Sequence, residues 1–492
     1  MPTNLNKFEF ATANRIIFGS GAIRDVGSIA KEFGRRALIV TGRNAGRAES
    51  LSKLLKASGL DAVIFSVAGE PDIETIERGT AVAKQEKCEL VISFGGGSAL
   101  DAGKAIAAMA ANQGELLDYL EIIGRGKALP NRPLPFIAIP TTAGTGSEVT
   151  RNAVLASPEH RAKVSLRSPL MLPRVALVDP ELTLDLPPGI TASTGLDALT
   201  QLIEPYVCAR ANPMTDALCM DGIRRAAGSL RKVFENGRDL GAREDMALAS
   251  LYGGMALANA GLGAVHGLAG PIGGMFPAPH GATCAALLPH VMEMNLRALR
   301  ARQPASEALR RYDEVARLLM GGSGRLTNTI DELRDDARPL TPDLPTGGGE
   351  GEAALASDGL QHDPRPLPMN HKVPPLPGPL LHCVEEREKK RTAQGAIPAR
   401  FRGSMREIVV RGVLTLALST GGGEGEEAPA DDGVEWVRKL VADLQIPPLR
   451  TYGITANDRA EIVERAAKAS SMKANPIALT AAELAEILER AN

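Results

Sequence analysis

The feature that most constrains this chain is a regular alternation between short β-branched runs and longer helical stretches over residues 15–141. The runs are RIIF, ALIV, AVIF, LVISF and FIAI, at residues 15–18, 37–40, 62–65, 90–94 and 136–139. Such alternation is typical of βαβ units, in which helices join parallel strands. The sequence therefore predicts an N-terminal α/β domain with a mainly parallel sheet.

The texture changes after Leu186, where long Ala- and Leu-rich segments replace the β-branched runs. These segments cover residues 197–208, 213–234 and 244–260. A chain of 492 residues is also long enough for more than one hydrophobic core. We therefore predict an α/β domain at residues 1–184 and an all-helical domain that begins at residue 185.

A third texture begins near Gly322, where proline, glycine and charged residues dominate. Ten prolines fall between Pro339 and Pro379, and the sequence LPTGGGEGE at 344–352 returns as LSTGGGEGE at 418–426. Such a stretch has too little apolar surface to offset the entropy of ordering it. We predict a disordered insertion at 322–430, with the helical domain formed by 185–321 and 431–492.

The charge balance and the cysteines limit the classes of partner. Lys and Arg number 56 against 58 Asp and Glu, a net charge of −2 that gives no field for nucleic acid or anionic lipid. The five cysteines form no CxxC pair, which argues against a disulfide framework. Since the chain shows neither a leader-like start nor an apolar run near 18 residues, we expect a cytoplasmic protein with no membrane partner.

The run LVISFGGGSALDAGKA places Gly95, Gly96, Gly97 and Ser98 between a buried strand and a helix. Backbone N–H groups at a helix N-terminus carry the positive end of the helix dipole, and glycines let an anion approach closely. We therefore interpret the turn as a pyrophosphate site. The alternative is a tight strand-to-helix turn without a ligand, because GGGS matches neither common nucleotide fingerprint.

Three further blocks give the turn its context: PTTAGTGSEVT, HRAKVSLRSPLMLPRVALVDPELT and TGLDALTQLIEPY, at residues 140–150, 160–183 and 194–206. In this order and spacing the chain resembles the iron-containing (group III) alcohol dehydrogenases over about residues 8–321 and 433–492. The resemblance implies a dehydroquinate synthase-like architecture, with a dinucleotide-binding α/β domain followed by a helical metal domain. It also implies a homodimer or larger homo-oligomer.

The resemblance assigns the cofactor contacts residue by residue. NAD or NADP would place its pyrophosphate on Gly96, Gly97 and Ser98, with Asp101 beside it. Thr141 and Thr142 would line the nucleotide cleft. Thr150 and Lys163 would lie near the nicotinamide ribose, and Leu182 would offer backbone contacts. For the threonines the alternative is simple capping of a helix or turn by their hydroxyls.

The resemblance also implies a divalent metal site, for Fe²⁺ or Zn²⁺, at Asp197, Gln201, His266 and His280. Asp197 and Gln201 are four residues apart, so they share one helix face. Family members generally carry a histidine where this chain has Gln201, and an amide oxygen is a poorer ligand for a transition metal than imidazole. The alternative is that His266 and His280 are core histidines satisfied by hydrogen bonds, and we assign His290 to the structure.

Two more positions depart from the family pattern. Many relatives carry a histidine four residues after the position of His266, thought to pass the alcohol proton to solvent, and this chain has Gly270. NAD-preferring relatives often end the second strand with an Asp, whereas here Gly42 and Arg43 follow it. Arg43 could pair with a 2′-phosphate, which makes NADP acceptable, or it could simply be solvated.

The function predicted from these features is hydride transfer between a nicotinamide cofactor and a small alcohol or carbonyl substrate, with a divalent metal polarising the oxygen. One alternative is a metal-independent enzyme similar to maleylacetate reductases, in which the histidines bind an acidic substrate. Another is a non-catalytic descendant that binds the dinucleotide only.

Overall fold

The computed structural model describes residues 7–321 and 430–492, and all of them belong to one compact unit. The insertion predicted at 322–430 lies outside the described residues apart from Ala430, which starts a helix. The boundary predicted between residues 184 and 185 stays a prediction. It falls between the last strand, which ends at Val178, and a long helix that begins at Pro188.

A six-stranded parallel sheet forms the first part of the molecule. Its strands are β1 (Arg15–Phe18), β2 (Arg36–Thr41), β3 (Asp61–Ser66), β4 (Leu90–Gly95), β5 (Phe136–Pro140) and β8 (Val175–Val178), in the order β1-β8-β5-β4-β2-β3. All of its strand pairs are parallel. The carboxyl ends of the strands therefore meet at one edge, and the segments that follow β4 and β5 lie side by side there.

Helices α1 (Val26–Lys31), α2 (Gly46–Ala57), α3 (Ile73–Gln85) and α4 (Gly97–Ala111) connect these strands. Alternate residues of a strand join different cores: Ile92 packs in the cluster that contains α1 and α2, whereas Val91 packs in the cluster that contains α3 and α4. Burial on both faces explains why the predicted strands read as unbroken apolar runs.

The sequence did not predict β6 (Asn152–Ser157) and β7 (Ala162–Arg167), which form an antiparallel hairpin outside the main sheet. Along β6 buried and partly exposed residues alternate, as expected for a hairpin with one face on the core. The hairpin packs against α4 and α3. It continues the 140–150 segment back across the end of the sheet.

The second part of the described chain is helical. Its helices are α5 (Pro188–Val207), α6 (Pro213–Glu235), α7 (Leu240–Asn259), α8 (Ala264–Met275), α9 (His280–Arg302), α10 (Glu307–Met320), α11 (Ala430–Asp443), α12 (Arg459–Ala467) and α13 (Ala481–Arg490). Helix α5 packs against α6, α7, α9 and α10 and is buried on every side from Gly195 to Val207. The predicted fold class, a parallel α/β sheet followed by a helical region, is confirmed.

The helices on either side of the predicted insertion pack against each other. The N–H of Ala430 donates to Asp313 Oδ1 at 3.0 Å, and a Cβ built on Gly433 would lie 2.9 Å from that of Ala316. Helices α10 and α11 thus belong to one layer, although the sequence separates them widely.

None of the helices within residues 7–321 and 430–492 is by itself long and apolar enough to cross a membrane. The consecutive helices α7 and α8 together meet the length and composition test, but they are bent by 95°.

Candidate dinucleotide and metal sites

The glycine-rich turn at residues 95–98 connects β4 to α4, as predicted. Gly96 is the N-cap of α4 with an ordinary extended backbone (φ −78°), so conformation alone does not require glycine there. A Cβ on Gly97 would lie 2.7 Å from Thr145 Cγ2, and one on Gly96 would lie 3.3 Å from Thr142. The turn is therefore packed against the following loop, and the first N–H groups of α4 point away from the helix without intrahelical acceptors.

The 140–150 loop lies beside this turn. The N–H of Thr141 donates to Gly95 O at 2.9 Å, which extends the pairing of β4 and β5 by one residue. Gly146 has φ +59°, and a Cβ there would lie 2.3 Å from Gly254 Cα in α7. The loop is thus held between the sheet and the helical region, with Thr142 facing the glycine-rich turn.

The fully buried Lys104 contacts both Asp101 and Thr150. Lys104 Nζ donates to Ser147 O and Thr150 Oγ1, both at 2.9 Å, and lies 3.2 Å from Asp101 Oδ1. Asp101 also accepts from the Ser147 hydroxyl and, at 3.0 Å, from the N–H of Val154. Through these contacts the two predicted cofactor residues hold the 140–150 loop and the hairpin of β6 and β7 against α4.

Lys163 and Leu182, the other predicted cofactor residues, lie on β7 and in the turn after β8, respectively. Lys163 on β7 pairs with Glu70 and lies against α8, where a Cβ on Gly273 would be 2.8 Å from its Nζ. The carbonyl of Leu182 accepts a hydrogen bond of 3.1 Å from Arg47 in the first turn of α2.

The segment after β2, which bears on the choice between NAD and NADP, is open at one position and anchored at the next. A Cβ on Gly42 would meet no heavy atom within 4 Å. Arg43 donates from Nε and Nη2 to Ala68 O, at 3.0 and 2.9 Å. The guanidinium is therefore oriented by the backbone, and its Nη1 has no acceptor among the described residues.

Three helices bring the predicted metal ligands together. Asp197 Oδ1 of α5 lies 3.5 Å from His266 Nε2 of α8 and 3.8 Å from His280 Nε2 of α9. The two imidazole centroids are 5.4 Å apart. Gln201 lies one helical turn after Asp197 and its Nε2 donates to Asp197 Oδ2 at 3.1 Å. We call Asp197, Gln201, His266 and His280 the Asp197 cluster.

The Asp197 cluster contains polar atoms without partners. Asp197 Oδ1, Gln201 Oε1 and His266 Nε2 are buried and make no hydrogen bond within the described part of the chain. Buried polar atoms without partners cost free energy, so a cluster of them favours a ligand that satisfies all of them. A carboxylate, an amide oxygen and imidazole nitrogens are donors for a divalent cation.

Glu204 supports His266 from outside the cluster. Its Oε2 lies 2.6 Å from His266 Nδ1, and its Oε1 accepts from the N–H of Val265 at 2.7 Å. A carboxylate on Nδ1 holds a proton there and directs Nε2 toward Asp197, so that Nε2 can carry either a proton or, in its place, a metal ion. This is the arrangement that a metal-binding histidine requires.

The electrostatics of the Asp197 cluster favour a cation. Burial alone would raise the pKa of Asp197, but His280 and His266 beside it lower that pKa. Burial alone would lower the pKa of His266, but Cys284, Glu204 and Asp197 raise it well above its ordinary value. Burial holds the pKa of the partly exposed His280 below its ordinary value, so this imidazole is neutral and free to bind a metal.

Models of a known family match both parts of the chain. The model described as iron-containing alcohol dehydrogenase matches residues 13–180, and its C-terminal counterpart matches residues 191–342. This chain belongs to the iron-containing alcohol dehydrogenase family. The match covers the sheet, the glycine-rich turn and all four residues of the Asp197 cluster.

Individual relatives agree. The chain is 40% identical to a 1,3-propanediol dehydrogenase of Klebsiella pneumoniae over 59% of this chain and 76% of that one. It is 41% identical to alcohol dehydrogenase 4 of Saccharomyces cerevisiae, with the same coverage. A solved 1,3-propanediol oxidoreductase superposes with a TM-score of 0.72 at 29% identity, over 99% of this chain and 100% of the other. The family models thus match most of the first described part, and the likeness in fold covers nearly the whole chain.

Two residues of the site were missed from the sequence. Glu204 is seven residues after Asp197 on the same helix, and Cys284 is four residues after His280, so helical spacing would have placed both on the faces of the ligands. Burial raises the pKa of the Cys284 thiol to about 12, which keeps it protonated unless a cation replaces the proton.

Gly270, the position at which the family resemblance implied a proton-relay histidine, lies on α8 one turn after His266. A Cβ there would meet no heavy atom within 4 Å. The space for a larger side chain is therefore present in this family member, although the side chain is not.

Proposed function

We propose that this family member is a metal-dependent dehydrogenase that interconverts a small alcohol and its carbonyl compound. When bound, a nicotinamide cofactor exchanges the hydride and a divalent cation polarises the substrate oxygen as a Lewis acid. The protein supplies the positions of these groups. The observation that carries the proposal is the convergence of buried, unpartnered donor atoms in the Asp197 cluster.

The donor set fits Fe²⁺ or Zn²⁺. Asp197 gives one anionic oxygen, His266 and His280 give two imidazole nitrogens, and Gln201 adds a weaker amide oxygen. The hydrogen bond from Gln201 Nε2 to Asp197 Oδ2 also holds the carboxylate in place. We infer that the ion binds but is lost more readily than from a site with a third imidazole.

We propose the glycine-rich turn as the pyrophosphate site, with Gly96, Gly97 and Ser98 presenting backbone N–H groups. Thr141 and Thr142 line the adjoining cleft, Lys163 reaches the end nearest the metal, and Leu182 borders the other side. Asp101 and Thr150 contribute by holding this frame through Lys104. Because Gly42 carries no carboxylate, the proposal includes both NAD and NADP as cofactors.

Chelation tests the metal requirement directly. We expect exhaustively chelated protein to lose turnover and to regain it with Fe²⁺ or Zn²⁺, and His280→Ala to lose both metal content and metal-stimulated turnover. Gln201→His should retain more metal through dialysis than the wild type. His290→Ala is a matched control, because His290 lies on the same helix outside the cluster.

Two results would contradict the proposal. Full activity after chelation, with His280→Ala affecting substrate affinity and not metal content, would favour a metal-independent reductase similar to maleylacetate reductases. Dinucleotide binding without turnover of any alcohol or aldehyde would favour a binding protein. The predicted homo-oligomer is checked separately by light scattering of the purified protein.

A further inference from the structure

Cys284 lies inside the ligand group of the proposed metal site. It is fully buried on α9, one turn after His280, and its Sγ is 3.7 Å from His280 Nε2. One donor atom from each of Asp197, His266, His280 and Cys284 lies within 4.8 Å of every other. The sulfur thus occupies the same small volume as the oxygen and nitrogen donors.

Three of the six separations among these donor atoms match those of ligands around one ion. Metal–ligand bonds of roughly 2.0–2.3 Å in a tetrahedron place neighbouring donor atoms about 3.3–3.8 Å apart. The observed separations are 3.5 Å between His266 Nε2 and Asp197 Oδ1, 3.8 Å between His280 Nε2 and Asp197 Oδ1, and 3.7 Å between His280 Nε2 and Cys284 Sγ. A single cation could therefore contact all four side chains with small adjustments.

An independent observation shows that the volume suits a ligand. Asp197 Oδ1 and His266 Nε2 are buried without hydrogen-bond partners among the described residues, and both side chains are more than nine-tenths buried. The donor strength available from Gln201 is low, because a neutral amide oxygen is a weak ligand for a transition metal. A sulfur donor would make up for the missing imidazole.

We propose that Cys284 binds the metal as a thiolate, so that one sulfur joins the carboxylate, the two imidazoles and the weak amide oxygen of Gln201. The thiol proton is released to solvent when the ion binds. A thiolate is a softer donor than an amide and selects Zn²⁺ over Mn²⁺ or Mg²⁺. This inference rests on the proposed metal site and adds a ligand and a metal preference to it.

Cobalt substitution provides the test. Chelated full-length protein is titrated with Co²⁺ and its absorption spectrum recorded, because a cobalt–thiolate bond gives an intense near-ultraviolet charge-transfer band that oxygen and nitrogen ligands do not give. We expect this band in the wild type and in Cys88→Ser, a control at a buried cysteine outside the site. Cys284→Ser and Cys284→Ala should lose the band, keep the weaker visible cobalt bands, and bind Zn²⁺ at least about tenfold more weakly.

The outcomes separate the two proposals. If the visible cobalt bands appear but the wild type has no charge-transfer band, or Cys284→Ser retains it with unchanged Zn²⁺ affinity, Cys284 is not a ligand and the Asp197 cluster still binds metal. If no cobalt bands appear at all, the metal site itself is wrong. Thermal unfolding of both Cys284 variants shows whether a lost band reflects a lost ligand or a lost fold.

Discussion

Glu148 is a buried carboxyl in the 140–150 loop, and its charge opposes folding. The side chain is 2% exposed, and burial raises its pKa to about 7 although Lys104 nearby has the opposite effect. The folded state therefore binds this proton more tightly than the unfolded state does. Protonated Glu148 therefore contributes its full stabilisation of the fold at low pH. This stabilisation is lost as the pH rises from 4.5 to about 7.

We predict that Glu148→Gln is more stable than the wild type at pH 8 and gains little at pH 5. A pKa that rises from 4.5 to about 7 corresponds to at most about 3 kcal/mol at high pH. The measurement is urea unfolding at both pH values, with exposed Glu74→Gln as the control. Equal effects of Glu148→Gln at the two pH values would show that the carboxyl is ionised in both.

Gly42 offers a clean test of cofactor choice, because a side chain there meets open space. We predict that the wild type uses NADP at least comparably with NAD. Gly42→Asp should lower kcat/KM for NADP by about tenfold or more relative to NAD, since its carboxylate accepts from ribose hydroxyls and repels a 2′-phosphate. Gly42→Asn separates charge from size. A wild-type preference for NAD over NADP of a hundredfold or more would contradict this prediction.

Spacing along one helix was the most informative signal for single residues. Asp197 and Gln201 could be paired from the sequence because four residues is one helical turn. The 62-residue separation of Glu204 from His266 carries no such signal, so the hydrogen bond between them had to come from the fold. Arg43 shows another limit of prediction from sequence. The sequence left its guanidinium either to pair with a 2′-phosphate or to be solvated, whereas in the structure it donates to the carbonyl of Ala68.

Helix α4 presents its N-terminus at the glycine-rich turn, and we expect that a side chain can block this end while the protein still folds. At Gly96 the backbone suits any residue and a Cβ would lie 3.3 Å from the Thr142 side chain, which must shift by a few tenths of an ångström, whereas at Gly97 it would overlap Thr145. We predict that Gly96→Val folds and loses most of its affinity for NAD(H) and NADP(H), measured by fluorescence titration. Gly189→Val, at a position with open space in α5, is the control. Unchanged affinity for the dinucleotides in folded Gly96→Val would show that the pyrophosphate binds elsewhere.

The sheet strands were predictable because burial on both faces makes them continuous apolar runs. The hairpin of β6 and β7 was not, since NAVLAS and AKVSLR mix polar and apolar residues and only their alternation marks them as strands. β8 was missed for a different reason: VALV is four residues long and follows a proline-rich block. Short strands depend on their neighbours in the sheet more than on their own sequence.

Direct packing of α10 on α11 predicts that residues 322–429 can be removed. Ala430 contacts Asp313, and the chain from Asp313 to Gly321 rises about 12 Å along the helix. A linker of about eight Gly and Ser residues reaches roughly 16 Å, enough to return to the start of α11. We expect this deletion variant to fold and to keep turnover within about threefold of the full chain. Loss of both activity and cooperative unfolding would show that the segment is required.

The unpartnered atoms of the Asp197 cluster connect metal supply to the amount of folded protein. Each buried polar atom without a partner costs about 1–3 kcal/mol, so three of them are a large fraction of a typical folding free energy. An ion that binds only the folded chain shifts the equilibrium by mass action, by about 2.7 kcal/mol at a free concentration one hundred times its Kd. Metal starvation would then deplete the protein through unfolding and degradation, in addition to slowing its reaction.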